Sequence, residues 1–216
     1  MNSNPSHIIY VPRDTTAVSL GADAIATTIE KIAKQKQLPL QVVRNGSRGL
    51  YWLEPMLEIQ TERGRVAYGP MTAADLDQFM AQECWLENEN HPRYLGLTEE
   101  IPYLKNQQRL TFARVGITDP LAVDSYCAHD GFVGLRQALK DSPQQIVTTV
   151  TDSGLRGRGG AAFPTGIKWQ TVLNTPADQK YIVCNADEGD SGTYADRMIM
   201  ESDPLCLIEG MTIAGL

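Results

Sequence analysis

Apolar and polar positions along this 216-residue chain follow two rhythms, one of period two and one near 3.6. HIIYV (7–11) is a short β-branched and aromatic run and predicts a strand. AVSLGADAIATTIEKIAKQK comes next, with Ile25, Ile29 and Ile32 on one helical face. LPLQVV and EPMLEIQT predict two more strands, and RVAYG completes a hairpin across the turn ERG. Thr72 before AADLDQFMAQE, with Asp75 three residues on, is an acidic variant of the capping box and predicts a helix start. Residues 84–104, polar and with two prolines, predict a linker wrapping over a neighbouring surface. QQRLTFARV then reads as a strand-like piece, leading to two short helices with Asp119 before Pro120 and Asp130 before Gly131 as start markers. Ser142-Pro143-Gln144-Gln145 combines a capping box with proline at the first helical position, and Gly154 closes the helix it opens. KYIVC predicts a strand apolar on both faces, and GTYADRMIMES and DPLCLIEGMTIAGL predict helices, the second with Pro204 near its start.

Composition narrows the class. With 42% hydrophobic and 21% charged residues the chain is ordinary globular material rather than disordered. Nineteen Lys+Arg against 26 Asp+Glu give a net charge of −7, so no basic field exists to collect nucleic acid. No apolar stretch is long enough for membrane insertion. The start MNSNPSHIIYVPRD lacks the basic and apolar regions of a signal peptide, so a cytoplasmic protein is expected. Cys84, Cys127, Cys184 and Cys206 lie 43, 57 and 22 positions apart, and no pair has metal-ligand spacing. They read as reduced, mostly buried thiols, and His7, His91 and His129 form neither a metal nor a triad pattern. The spacing gives no support to a Cys–His nucleophilic site, though the fold could bring one together, and no metal ligand is expected.

The order β-α-β-β-β-α over 7–83 is that of a thioredoxin-like fold. RNGSRGLYWLEPMLEI and, after it, VAYGPMTAADL resemble the second half of a thioredoxin-like [2Fe-2S] ferredoxin. That family holds its cluster with a C-x4-C pair near the first strand and a C-x3-C pair later. The matching positions here are Pro12 and Ala17, then Ser47 and Tyr51, so all four thiolates are missing. The resemblance implies a cluster-free domain over 1–84 serving as a docking surface, then a linker over 85–104.

SGLRGRGGAAFPTGIKW (153–169) is the most unusual stretch of the remainder, 105–216. It holds Gly154, Gly157, Gly159, Gly160 and Gly166, interleaved with Arg156, Arg158 and Lys168, and no acid. Glycines let backbone amides approach a ligand closely, and successive amides form an anion-binding nest. The cations suit a phosphorylated ligand. Gly157, Gly159 and Ala162 satisfy G-x-G-x-x-G/A, yet a helix precedes them and Pro164 interrupts the next turn, unlike a Rossmann fingerprint. A plain surface loop is the alternative. After KYIVC come Asn185, Asp187, Glu188 and Asp190, acceptors for a flavin, a ribose or an amide at a strand's C-terminal end. The competing readings are a solvated acidic turn for Glu188 and Asp190 and a helix cap for Asp187.

GLRGRGGAAFPTGIKW with CNADEGDSGTYADR resembles the NADH-binding flavoprotein subunit of respiratory complex I and its diaphorase relatives in NAD-reducing hydrogenases and NAD-dependent formate dehydrogenases. The resemblance implies an α/β chain: a thioredoxin-like domain, then the start of an α/β FMN/NADH-binding domain over 105–216. It implies FMN and NAD as cofactors. The loop Gly157, Arg158, Gly159, Gly160, Ala161 to Gly166 and Lys168 would line the site, and Phe163 would stack on a nucleotide ring. Asn185, Asp187 and Glu188 would lie along the isoalloxazine edge and Asp190 would contact the nicotinamide nucleotide. Ala162 departs from relatives with a third glycine there. A [4Fe-4S] cluster is expected only in a C-terminal domain that relatives have beyond this length, which makes the isolated chain an expected inactive N-terminal part. Hydride exchange between NAD(H) and FMN, feeding iron–sulfur clusters, is the implied activity. The fused cysteine-less domain and Asp190, where complex I subunits usually have glutamate, favour formate dehydrogenase beta subunits. The implied partners are a thioredoxin-like [2Fe-2S] gamma-type subunit and a catalytic dehydrogenase subunit. A non-catalytic docking module with a vestigial loop is the rival, and a stand-alone nucleotide binder a third reading.

Overall fold

A computed structural model describes residues 7–216, and residues 1–6 lie outside the described part. Strand β1 (His7–Tyr10) leads through α1 (Thr15–Ser19) and α2 (Ala22–Lys36) to β2 (Leu40–Val43), which pairs with β1 in parallel. β3 (Leu57–Thr61) and β4 (Gly64–Tyr68) form the expected hairpin, with β3 antiparallel to β1. α3 (Ala73–Ala81) comes after it, started by the Thr72–Asp75 capping box. This βαβ unit, hairpin and helix are the thioredoxin-like order expected. Ile25, Ala26, Ile29 and Ala33 of α2 are buried, and the isoleucines and Ala26 pack in one core with Ile9, Ile59 and Val66 of the sheet and Phe79 of α3. The helical periodicity and the alternation of the strands thus close one core.

The stretch 84–104 is more than a connection. β5 (Tyr94–Leu97) pairs antiparallel with β4, giving a five-stranded sheet of order β2-β1-β3-β4-β5. α4 (Pro102–Lys105) then buries Leu104 against Leu50 and Met56. Strand-like QQRLTFARV is instead a series of turns in which Leu110 is exposed and Val115 buried. Asn45 and Arg65 both hydrogen-bond the Gly116 carbonyl, and Gly116 itself lies against the Arg48 side chain. Arg48 is buried and forks onto buried Glu58 through Nε and Nη2 at 2.8 and 2.7 Å, with Nη1 reaching Glu99 at 2.8 Å.

The remainder is helical. α5 (Val123–Cys127) and α6 (Val133–Ala138) lack the side-chain caps expected of Asp119 and Asp130. Asp119 instead accepts from Leu121 N–H, closing a turn, and Asp130 has a positive φ. α7 (Pro143–Asp152) has the Ser142–Gln145 capping box, Pro143 in its first turn and Gly154 left-handed just past its end. α8 (Thr165–Asn174), α9 (Ala195–Ser202) and α10 (Pro204–Ala214) complete the chain. Glu209 of α10 is buried, accepting from the Tyr126 hydroxyl and from the Phe132 and Leu135 amides that open α6. Asp203 holds Arg114 at 2.9 Å, tying the start of α10 to the turns before α5.

KYIVC is not a strand. Residues 180–184 carry no regular structure, and Tyr181 and Val183 are 82% and 83% exposed. A strand needs a neighbour to take its backbone donors and acceptors, and no described strand lies beside this segment. The mixed α/β class of the chain therefore rests on the N-terminal sheet. The thiols divide as well: Cys84 is buried, whereas Cys127 and Cys184 are exposed, so the expectation of mostly buried cysteines fails.

Among the buried groups, Glu54 stands out. It accepts from the Ser47 hydroxyl at 2.6 Å and the Met56 amide at 2.9 Å. Burial, with the charges of Asp14 and Glu58 adding to it, pushes its carboxyl up to about 8 despite those hydrogen bonds. The folded chain therefore holds a proton that the unfolded chain releases at the ordinary carboxylate value near 4.5. Stability is expected to fall as pH rises from about 4.5 to about 8, by about 1.4 kcal/mol per unit, and to level off beyond. Urea midpoints measured across that window should decline for the wild type and stay flatter for Glu54→Gln.

Candidate functional site

The glycine-rich stretch folds into a loop clasped at its neck. Gly157 N–H donates to the Phe163 carbonyl and Thr165 N–H to the Leu155 carbonyl, each at 2.9 Å, and Arg156 bridges to Pro164. Arg156 Nη1 also donates to the Ala162 carbonyl at 2.9 Å, so this cation is committed to holding the loop. The turn at the tip needs left-handed backbone at Gly160 (φ 90°) and at Ala162 (φ 50°). Ala162, the departure from a third glycine, therefore occupies a conformation that glycine adopts at lower cost.

Arg158, Gly159, Gly160 and Ala161 form the tip, and nothing lies within 4 Å of where a Cβ on Gly159 or Gly160 would sit. Arg158 has no carboxylate partner among the described residues. The loop opens directly into the N-terminus of α8, which has no side-chain cap. Lys168, at the end of that first turn, places Nζ 5.8 Å from the ring centroid of Phe163 and 3.8 Å from a Cβ built on Gly157. Free amides, a positive helix end and two cations thus stand around one solvent-open loop, the physical makings of a phosphate or nucleotide cradle.

Gly166 has a different duty. A Cβ there would sit 2.2 Å from Thr151 Oγ1 and 2.7 Å from Thr151 Cα, so its missing side chain lets α7 and α8 cross closely. It supports the loop from below rather than lining its open side.

The acidic turn lies between α8 and α9. Asn185 Oδ1 accepts from Asp187 N–H at 3.1 Å, and Asn185, Asp187 and Asp190 reach solvent. Glu188 accepts from the amides of Ala195 and Asp196 at 2.7 and 3.1 Å and of Arg197 at 3.4 Å. Its carboxylate is the N-terminal cap of α9, the role considered for Asp187. Within the described residues no hydrogen bond or ion pair joins this turn to the glycine loop.

The four positions matched to cluster ligands show what stands in place of the cluster. The Pro12 carbonyl accepts from Arg44, Ala17 is buried in the core, and the Ser47 hydroxyl is spent on Glu54. Tyr51 packs edge-on to Tyr194 with ring centroids 5.7 Å apart, and Arg197 lies over both rings. A Cβ on Gly49 would strike Met198, and one on Gly46 would strike Ser202. Neither the donor set nor the space fits an iron–sulfur cluster, because α9 fills the place. Sequence reasoning did not find this seam. The local signal for it was the small pair Gly46 and Gly49 in the loop that precedes Tyr51.

Residues 150–216 match the family model described as the Nuo51 FMN-binding domain. The NADP-reducing hydrogenase subunit HndC of Solidesulfovibrio fructosivorans is 50% identical over 111 residues, 51% of this chain and 22% of that protein. An NADH-quinone oxidoreductase subunit of Rhizobium meliloti is 48% identical over 46% of this chain and 24% of its own length. Over these residues the chain is similar to the NADH-binding flavoprotein family. The glycine loop and the acidic turn both fall inside the matched residues. In length the match spans 22% and 24% of those two relatives. A solved NAD+-reducing [NiFe]-hydrogenase in the H2-reduced state is similar at TM-score 0.38 and 23% identity, over 97% of this chain and 35% of that one. No described helix is long and apolar enough to cross a membrane.

Replacing Gly166 with alanine should cost roughly 1–3 kcal/mol of stability, because the added methyl meets the Thr151 Cα of α7 as well as its hydroxyl, and the backbone cannot turn aside. Chemical denaturation would register this as a lower midpoint with an unchanged slope.

Proposed function

We propose that this chain supplies the glycine loop and acidic turn of an FMN- and NAD(H)-binding site in a soluble, cytoplasmic NAD-dependent oxidoreductase complex, with formate dehydrogenase as the complex it best suits. The observation that carries the reading is the clasped loop of Gly157–Phe163, whose open tip leads straight into the uncapped N-terminus of α8. The donor chemistry fits a flavin mononucleotide: amides and the helix end for its phosphate, Arg158 and Lys168 for charge, and Phe163 for a ring face. Asn185, Asp187 and Asp190 suit the hydrogen-bonding edges of the ring or the nicotinamide nucleotide.

Two-electron exchange with NAD(H) is the chemistry such a cofactor supplies when bound. The residues of this chain bind, orient and shield; none is needed as nucleophile or proton donor. Lys168 and Arg158 offset the phosphate charges, and the loop backbone lets the ligand approach without side chains intervening. The formate dehydrogenase assignment is supported by the cluster-free N-terminal domain and by Asp190. It brings as partners a gamma-type subunit with a [2Fe-2S] cluster and a catalytic dehydrogenase subunit.

Quenching of flavin fluorescence on titration with the full chain tests the binding, and anaerobic bleaching of the bound flavin by NADH tests the nicotinamide arm. Gly159→Val is the sharp control, since a side chain there meets only open space in the protein and should leave the melting midpoint unmoved. The expected outcome is saturable quenching by the wild type that Gly159→Val abolishes and Lys168→Ala weakens. Quenching indifferent to both substitutions, or none at all, would favour the non-catalytic docking reading.

A further inference from the structure

The seam where α9 fills the cluster position is built from specific polar contacts as well as packing. Glu201 accepts from both the amide and the hydroxyl of Thr15, at the N-terminus of α1. Arg197, one turn earlier on α9, donates to the Thr16 hydroxyl at 2.7 Å and reaches Glu201 at 3.3 Å. Burial would raise the Glu201 carboxyl, yet the Thr15 bonds and the Arg197 charge hold it below the ordinary carboxylate range. It is therefore ionised, as a latch built on an anion requires. Ser202 at the end of α9 touches Gly46, and Tyr194 at its start lies against Tyr51.

The other end of α9 is capped by Glu188. Three successive amides of the helix bind that one carboxylate, so the position of the turn 187–194 tracks the position of the helix. We propose that Thr15 and Thr16 are positioning residues: through Glu201 and Arg197 they clamp α9 to the N-terminal domain and thereby fix the acidic turn of the nucleotide site. The cluster-free domain then works as the anchor of that site. Its own ligand positions border the clamp.

The contact has the geometry for this. Thr15 and Thr16 lie 186 and 181 positions from Glu201 and Arg197, so these are long-range contacts, and they add polar bonds to the packing of Tyr194, Met198 and Ser202 and to the Asp203–Arg114 pair that follows α9. The acidic turn reaches solvent, and its hydrogen bonds are internal to itself and α9. Its hydrogen-bonded link to the rest of the described molecule passes along α9, into the seam and through Asp203 to Arg114. As to ligand, the proposal rests on the flavin and nicotinamide reading above, and its test is arranged to be judged apart from it.

Native-state amide hydrogen exchange on the full chain decides the clamp, with Thr15→Val/Thr16→Val removing both hydroxyls at constant shape and Thr15→Ser/Thr16→Ser restoring them. Two lost hydrogen bonds should speed exchange of the α9 amides roughly tenfold. Sheet amides such as Ile9 and Ile59 should be unchanged, and the serine pair should exchange like wild type. Equal protection of α9 in the valine pair overturns the clamp, as does loss of protection spread over the sheet or a serine pair that behaves like valine. FMN titration of the same proteins gives the functional arm: weaker binding by the valine pair, rescued by the serine pair. Wild type that binds no FMN counts against the flavin reading only, because exchange alone still rules on the clamp.

Discussion

The sheet and the turns that follow it meet at a guanidinium that hardly meets water. Arg48 forks onto Glu58 on β3, reaches Glu99 after β5 and leaves room for Gly116 against its stem. Removing one partner of a buried pair strands the other charge, at a cost of about 3–5 kcal/mol. Three segments far apart in sequence therefore share one anchor. Arg48 ties the loop 44–51 to β3, and that same loop is the platform on which α9 lies. The N-terminal sheet, the turns before α5 and the loop beneath α9 therefore meet at one ion pair.

Elements with local causes were legible. The Thr72–Asp75 and Ser142–Gln145 boxes state their helix starts within four residues, and the isoleucines of α2 show their buried face by spacing alone. KYIVC misleads for a physical reason. An apolar run is permission for a strand, and a neighbour must ratify it; here none of the described strands lies alongside. β5 misleads in the opposite direction, because YLGL is short, contains Gly96 and sits among polar residues, while β4 offers it an edge. Asp119 and Asp130 have the look of caps, yet each closes or bends a turn ahead of its helix.

The candidate site divides along the same line. Five glycines and three cations in seventeen residues announce a loop that something must approach, and that loop stands at the head of α8. What composition does not reveal is division of labour. Arg156 clasps while Arg158 has no carboxylate partner among the described residues, Gly166 serves a helix crossing, and Glu188 caps α9 instead of standing open beside its neighbours. The seam contacts of Thr15, Thr16, Arg197 and Glu201 leave no local signature, since none of these residues is unusual where it stands.

The exposed apolar run at 181–183 bears on how the chain behaves at high concentration. Tyr181, Ile182 and Val183 present apolar side chains to solvent and pair with no described strand, so contact between chains is favoured here. Nearby, α7, α8 and α10 leave an apolar groove of about 300 Å3 against the same segment. The net charge of −7 opposes such meetings through repulsion that salt screens. Colloidal stability of this chain is thus a contest between three side chains and the overall charge, and ionic strength sets which of them prevails.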